Sequence, residues 1–229
     1  MDLILVGYGK MNRLVEQLAA ERGHRVVRII RSPADWSDGW APGLVAIDFS
    51  VPGAVLENLD RLMTAGIPAV IGTTGWYDRL EQARSRVEAA DVGAVYGANF
   101  SLGVAAFYGI VAAAAAALPP ARYDAFIVEA HHRHKRDAPS GTAKRLAAIL
   151  AEAGHQHTVA SVRAGALPGT HSVGFDSEAD TVTLTHAARS RRGFAEGALA
   201  AAQWILGKRG WHEFAEVREA GGGGKGASK

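Results

Sequence analysis

The first thirty residues constrain the fold most. Residues 3–6, Leu-Ile-Leu-Val, are an unbroken apolar run. The run is short and lacks the polar alternation of a half-exposed strand, so it reads as a strand covered on both faces. Gly7-Tyr8-Gly9 then turns the chain into a helical pattern that runs to about Glu21. Gly23 stops the helix, and 25–30 is a second strand. Strand, glycine turn, helix and strand open a doubly wound parallel sheet that binds a dinucleotide. Gly7 makes the tight turn, and Gly9 lets the backbone approach a pyrophosphate seated on the helix N-terminus. Asn12 stands where the general fingerprint has its third glycine, which puts close helix–strand packing in question.

The end of the second strand bears on cofactor choice. An acidic residue there would bind the ribose hydroxyls of NADH, and this chain has Arg31-Ser32 instead. Two readings of Arg31 stay open: a ligand of the 2′-phosphate of NADPH, or an ordinary surface arginine. Further strands are expected at 44–49, 67–71 and 93–96, with helices at 54–65 and 76–90. Small-residue loops follow two of these strands, Gly72-Thr73-Thr74-Gly75 and Gly97-Ala98-Asn99-Phe100-Ser101. Such loops lie at the carboxyl ends of the strands, where open α/β sheets hold their ligands.

A different chemistry is concentrated in 129–143, EAHHRHKRDAPSGTA. A strand is expected at 123–129 and a helix at 142–153. Between them stand His131, His132, Arg133, His134, Lys135 and Arg136. Pro139 disfavours helix at Ala138, and Ser140 is a favourable N-cap. The N–H groups of Gly141, Thr142 and Ala143 are then expected to face an anion. A cationic loop running into a helix N-terminus suits a small dicarboxylate. The histidines also have a spacing seen among metal ligands, but no Cys exists and Asp137 is the nearby carboxylate, so no metal is assigned.

Composition narrows the field. A net charge of +2 and the lack of aromatics among the basic residues argue against nucleic acid. The apolar stretch 104–118 is short and alanine-rich, so it reads as a buried helix stopped by Pro119-Pro120 and not as a membrane span. No signal peptide is expected, and zero Cys fits a reducing cytoplasm. After the loop, strands are expected at 159–164, 170–176 and 180–186, then a last helix from 194 to about 206. The fold class is therefore α/β. A Rossmann-type doubly wound domain spans 1–101, and an α+β substrate domain spans 102–191. A glycine-rich tail at 221–229 is expected to be disordered.

His131–Ala143, HHRHKRDAPSGTA, resembles the signature of the dihydrodipicolinate reductase family. Gly7-Tyr8-Gly9-Lys10-Met11-Asn12 is similar to the shorter form of that family's nucleotide motif. Gly72-Thr73-Thr74-Gly75 and Ala98-Asn99-Phe100-Ser101 resemble its cofactor loops. Arg163-Ala164-Gly165 with His171 resembles its R-A-G…H pattern, with Thr170 where an acidic residue is usual. The resemblance implies that His131 and Lys135 are the catalytic pair and that His132, Gly141 and Thr142 bind substrate, to which Ser140 is added from the residue reading. It implies cofactor contacts from Gly7, Tyr8, Gly9, Lys10, Met11, Asn12, Gly72, Thr73, Thr74, Gly97, Ala98, Asn99 and Phe100, to which Arg31 is added from the residue reading. It further implies NAD(P)H-dependent reduction of dihydrodipicolinate in lysine biosynthesis, the return of 192–220 to the first domain, and a homotetramer joined through the sheets of 102–191, which makes that domain the oligomerisation domain. Arg31, with no acidic residue after the second strand, adds the expectation that NADPH is modestly preferred and NADH accepted. The alternatives are a reductase of a related dicarboxylic acid and a non-catalytic NADPH-binding module.

Overall fold

A computed structural model describes residues 1–217, and the tail expected at 221–229 lies outside the described residues. The chain divides into two compact units, one of Met1–Ser101 with the segment from Phe194 onward, the other of Leu102–Gly193.

The first unit is built on a six-stranded sheet. Its strands are β1 (Asp2–Val6), β2 (Arg25–Ile30), β3 (Leu44–Asp48), β4 (Ala69–Ile71), β5 (Gly93–Tyr96) and a late strand, Gly210–Glu213, which is β10 in chain order. The spatial order is β10-β5-β4-β3-β1-β2, and every neighbouring pair is parallel. Parallel strands need crossovers. These are α1 (Lys10–Glu21), α2 (Val55–Thr64), α3 (Leu80–Ala90) and, in the returning segment, α6 (Arg192–Ile205). Ile4, Val6, Ala46, Ala69, Ile71 and Ala94 pack with residues of α2 and α3. The alternate positions Leu3, Leu5, Val45, Ile47, Val70 and Val95 are fully buried too, so both faces of the sheet are covered. Gly93 marks how closely α6 packs. A Cβ there would lie 2.8 Å from Ile205 Cδ1.

The second unit has a mixed sheet in the order β7-β6-β8-β9, formed by β6 (Asp124–His131), β7 (His157–Arg163), β8 (Thr170–Asp176) and β9 (Thr181–Ala187). The β6–β7 pair is parallel, and the β6–β8 and β8–β9 pairs are antiparallel. Helices α4 (Leu102–Ala117) and α5 (Gly141–Glu152) share a core with one face of this sheet, through Phe107, Val111, Ile127, Leu146, Val173 and Phe175.

Three expectations change. Helix α4 is not buried all round: Val104, Phe107, Val111 and Ala115 form one buried stripe, while Ile110 is 54% exposed. The sequence hides the stripe because the outer positions are mostly alanine and glycine, whose small apolar surface costs little in water. Strand β6 continues through His131, so the first histidine is a strand residue and not a loop residue. Strand β10 has no sequence signal of its own. A four-residue Gly-Trp-His-Glu edge becomes a strand by pairing with β5.

Candidate active site

Two constellations carry the expected chemistry, one in each unit. In the first unit the strand order reverses between β1 and β3, and a cleft of about 440 Å³ opens beyond their carboxyl ends. Gly7, Tyr8 and Gly9 line it from the β1 side, Phe49 and Ser50 from the β3 side, and Arg31, Ser32 and Trp36 close its rim. Gly7 has φ +79°, and a Cβ on it would lie 2.6 Å from the Phe49 carbonyl oxygen, so only glycine fits. Above Gly9 there is open space. Helix α1 starts there with no side-chain cap and no acidic residue in its first turn. These features fit a dinucleotide pyrophosphate, whose charge would meet the first-turn N–H groups and the positive end of the helix dipole.

The remaining expected cofactor residues divide by environment. Asn12 is fully buried below the turn, where its amide donates to the Val6 and Gly7 carbonyls at 2.8 Å each. It therefore ties the helix to the strand, and the missing third glycine has not loosened the packing. Lys10 and Met11 lie in the first turn of α1, Lys10 exposed and Met11 half-buried. Tyr8 donates to Glu16, and its ring lies under Arg31, whose Cζ is 4.9 Å from the ring centroid. The acid near the second strand is Asp35. Its Oδ2 accepts from the amides of Arg31 and Ser32, each at 2.8 Å, and those bonds hold the carboxyl below its ordinary range. It braces the turn that presents Arg31.

Gly72, Thr73 and Thr74 follow β4, and Gly97, Ala98, Asn99 and Phe100 follow β5. A Cβ on Gly72 would lie 2.1 Å from the Phe49 ring. Thr73 is buried and donates to Asp48 at 2.9 Å. Burial pushes the Asp48 carboxyl up, against hydrogen bonds from Ser50, Asn58 and Thr73 that favour its charged form. Thr74 is exposed. Asn99 accepts from the Ser101 amide at 2.8 Å, and Phe100 is buried against Phe49 and Phe214. A Cβ on Gly197 would lie 1.7 Å from the Phe100 carbonyl oxygen, so α6 fixes this segment by direct backbone approach.

In the second unit, the buried face of the mixed sheet changes from apolar to polar along its strands. Ile127, Val173 and Leu184 are register partners, and so are Glu129, His171 and His186 two residues on. Glu129 is fully buried, and Arg163 donates to both of its oxygens at 2.6 and 3.0 Å. It also accepts from the Ser140 amide at 3.3 Å and pairs with His131 Nδ1. Burial raises the Glu129 pKa, but the bonds from Arg163, Ser161 and His131 win and hold it at about 2. Burial lowers the His131 pKa, helped by Lys135 and Arg163 and opposed by Glu129. His171, buried beside His131, is lowered to about 4, mainly by desolvation.

The loop between β6 and α5 is tied down at several points. Arg163 Nη2 donates to the Asp137 carbonyl at 2.6 Å, and the Arg133 amide donates to the Gly165 carbonyl at 3.2 Å. Lys135 Nζ sits 2.8 Å from the Asp137 carboxylate. His132 is half-buried. Ser140 caps α5 as expected, its Oγ accepting from Ala143 at 3.2 Å and lying 3.0 Å from His171 Nε2. One expectation is thereby corrected: the Ala143 amide is taken by the cap and does not face an anion. Gly141 has open space around its Cα.

Sequence reasoning missed Glu129, Arg163 and His171 as one buried group. Only the strand period placing Glu129 and His131 on the same face could have hinted at it. The ligand atoms of Glu129, His131 and His171 lie within 4.8 Å of one another, a set that could hold a metal ion. Arg163, bidentate on that carboxylate, places a fixed cation against it, so the donor set does not fit a divalent ion.

A doubly wound unit with a glycine-turn anion site, joined to a unit carrying a histidine–lysine loop, defines an oxidoreductase of the nicotinamide-dinucleotide type. Comparison with known proteins narrows this class. The family model "Dihydrodipicolinate reductase, N-terminus" matches residues 1–100, and "Dihydrodipicolinate reductase, C-terminus" matches residues 103–217. The 4-hydroxy-tetrahydrodipicolinate reductase of Christiangramia forsetii is 35% identical, covering 95% of this chain and 97% of its own. That of Xanthomonas campestris pv. campestris strain B100 is 41% identical, covering 87% and 89%. The chain belongs to the dihydrodipicolinate reductase family. In fold it is similar to a dipicolinate-bound dihydrodipicolinate reductase from Paenisporosarcina sp. TG-14, with a TM-score of 0.75, 22% identity, and coverage of 93% and 97%.

Proposed function

We propose that the protein reduces 4-hydroxy-tetrahydrodipicolinate, through its dehydrated dihydrodipicolinate ring, to tetrahydrodipicolinate in lysine and diaminopimelate biosynthesis. The observation that carries this reading is the loop from His131 to Thr142, where a buried histidine locked by a carboxylate, a lysine and a capped helix start come together. Bound at the glycine turn of the first unit, the nicotinamide cofactor supplies a hydride. Adding a hydride to a conjugated C=N/C=C system leaves negative charge on the ring, which a proton and fixed positive groups must meet. His131 and Lys135 are assigned those roles. His132, with the helix start at Ser140, Gly141 and Thr142, is assigned to the ring carboxylates. Ser140 acts there only by capping the helix, because its hydroxyl is engaged by Ala143 and His171 and its amide by Glu129.

NADPH is assigned as the preferred cofactor with NADH accepted, on the strength of Arg31 at the cleft rim and the engagement of Asp35 by backbone amides. The homotetramer is supported by the outer face of the mixed sheet. Val128 and Val162 are 38% and 44% exposed there, on the same face as Ala160, Thr183 and Thr185. Among the described residues no helix is long and apolar enough to cross a membrane. A cytoplasmic setting belongs to the same proposal. The test is an assay with freshly generated ring substrate, following NADPH loss. Turnover with that substrate supports the proposal. Turnover with other dicarboxylates alone, or NADPH binding without turnover, rejects it.

A further inference from the structure

We infer that Glu129 is a positioning residue for His131, kept ionised by Arg163, and that this carboxylate fixes which imidazole nitrogen faces the substrate. The inference rests on the assignment of His131 as a proton donor. Glu129 and His131 are two apart on β6, so both project from the buried face of the sheet. A fully buried lone carboxylate would be costly, but this one is compensated. Arg163, reaching across from β7, makes a two-pronged contact with it, and the Ser140 amide supplies a further hydrogen bond. Ser161 and His131 Nδ1 are its other partners.

With Nδ1 held, Nε2 is the nitrogen left for chemistry. The residue beside it at the neighbouring strand start is Gly169, which has no side chain to crowd it. A Cβ at Gly169 would stand 3.0 Å from Nε2. The groups around the ring come from every neighbouring element: Glu129 on β6, Arg163 on β7, His171 on β8 with ring centroids 5.0 Å apart, and Lys135 on the loop. Of the charges acting on it, Lys135 and Arg163 disfavour the imidazolium and Glu129 favours it. Removing the negative charge therefore lowers the pH at which His131 gives up its proton. Arg163 also holds the Asp137 carbonyl, so one guanidinium steadies both the carboxylate and the loop that carries Lys135.

The test compares wild type with Glu129→Gln, Glu129→Asp and the charge-matched pair Glu129→Gln/Arg163→Met. Glu129→Gln is expected to lower kcat by about 10- to 100-fold, part of what a positioned proton donor contributes. KM for NADPH should stay unchanged. The basic limb of the pH–rate profile should move to lower pH, and Glu129→Asp should return part of that shift. If Glu129→Gln alone does not melt cooperatively, the pair variant, which leaves no unpaired buried arginine, is expected to show a smaller limb shift in the same direction, because losing Arg163 offsets part of the lost negative charge. Nitrogen-15 spectra of wild type give a readout that needs no variant, and the neutral ring of His131 should carry its proton on Nδ1. A native rate with an unshifted limb in a folded variant, or a neutral ring protonated on Nε2, overturns the inference. His131→Ala separates the two levels. Near-native turnover in it removes the donor assignment itself, whereas a slow His131→Ala beside an unshifted Glu129→Gln removes only the positioning role.

Discussion

Replacing Arg31 by alanine should weaken NADPH and leave NADH nearly untouched. Arg31 lies at the rim of the cleft that opens above the glycine turn, with its guanidinium over the Tyr8 ring at 4.9 Å. Its backbone is set by Asp35, whose Oδ2 accepts from the Arg31 and Ser32 amides. A guanidinium–phosphate contact is charge-assisted and can be bidentate. Such a bond is worth about 1.5–3 kcal/mol when sheltered, and exposure with salt screening reduces it to about 1–2 kcal/mol here. That corresponds to roughly a 5- to 30-fold rise in KM for NADPH. The Tyr8 ring keeps the guanidinium near the rim, so the loss should lie toward the upper part of that range at low salt. The assay is steady-state turnover with each cofactor, in wild type and Arg31→Ala, at low and high ionic strength. The wild-type preference for NADPH should shrink as salt rises. Equal losses for both cofactors, or a wild-type preference for NADH, would refute the assignment of Arg31 to the phosphate.

Other outcomes follow from the second unit. Lys135→Ala and His131→Ala should each lower the maximal rate by about two to four orders of magnitude with little change in NADPH affinity, and near-native turnover in both would reduce the loop to a binding surface. His171 should make stability fall with acidification. Its folded pKa of about 4 lies below its ordinary 6.5, so the unfolded chain binds the proton first. The stabilisation is full above pH 6.5 and is lost as pH falls toward 4, by at most about 3 kcal/mol. Thermal melts across that window should show the decline, and His171→Asn should flatten it. Light scattering should return the mass of four chains at working concentrations, and a monomeric mass throughout would remove the tetramer.

Much of the fold was legible because local signals agree with the global arrangement. Residues 3–6 are apolar without alternation, and they lie in a strand buried on both faces. The strands at 25–30, 93–96 and 170–176 have the expected limits, because glycine, proline or a charge marks their ends. What stayed hidden depends on contacts distant in sequence. Strand β10 exists through pairing with β5, more than a hundred residues earlier. The buried stripe of α4 cannot be told from its outer face, because both are apolar. In the sequence the candidate site is a line of cationic side chains. The folded chain sorts that line, burying His131 against Glu129, pairing Lys135 with Asp137 and leaving Arg133, His134 and Arg136 exposed. Glu129 and Arg163 are 34 positions apart, and no spacing rule joins them before the parallel β6–β7 pairing brings them together.

In the proposed reaction a hydride passes from the cofactor to the dihydrodipicolinate ring. The most direct measurement is turnover with NADPH deuterated at nicotinamide C4, prepared separately with the label on each face and followed by mass analysis of the product. One of the two preparations should yield tetrahydrodipicolinate carrying a single deuterium, while the other should yield unlabelled product and deuterated NADP⁺. NADPH consumption with no deuterium in the ring product from either preparation would contradict that hydride transfer.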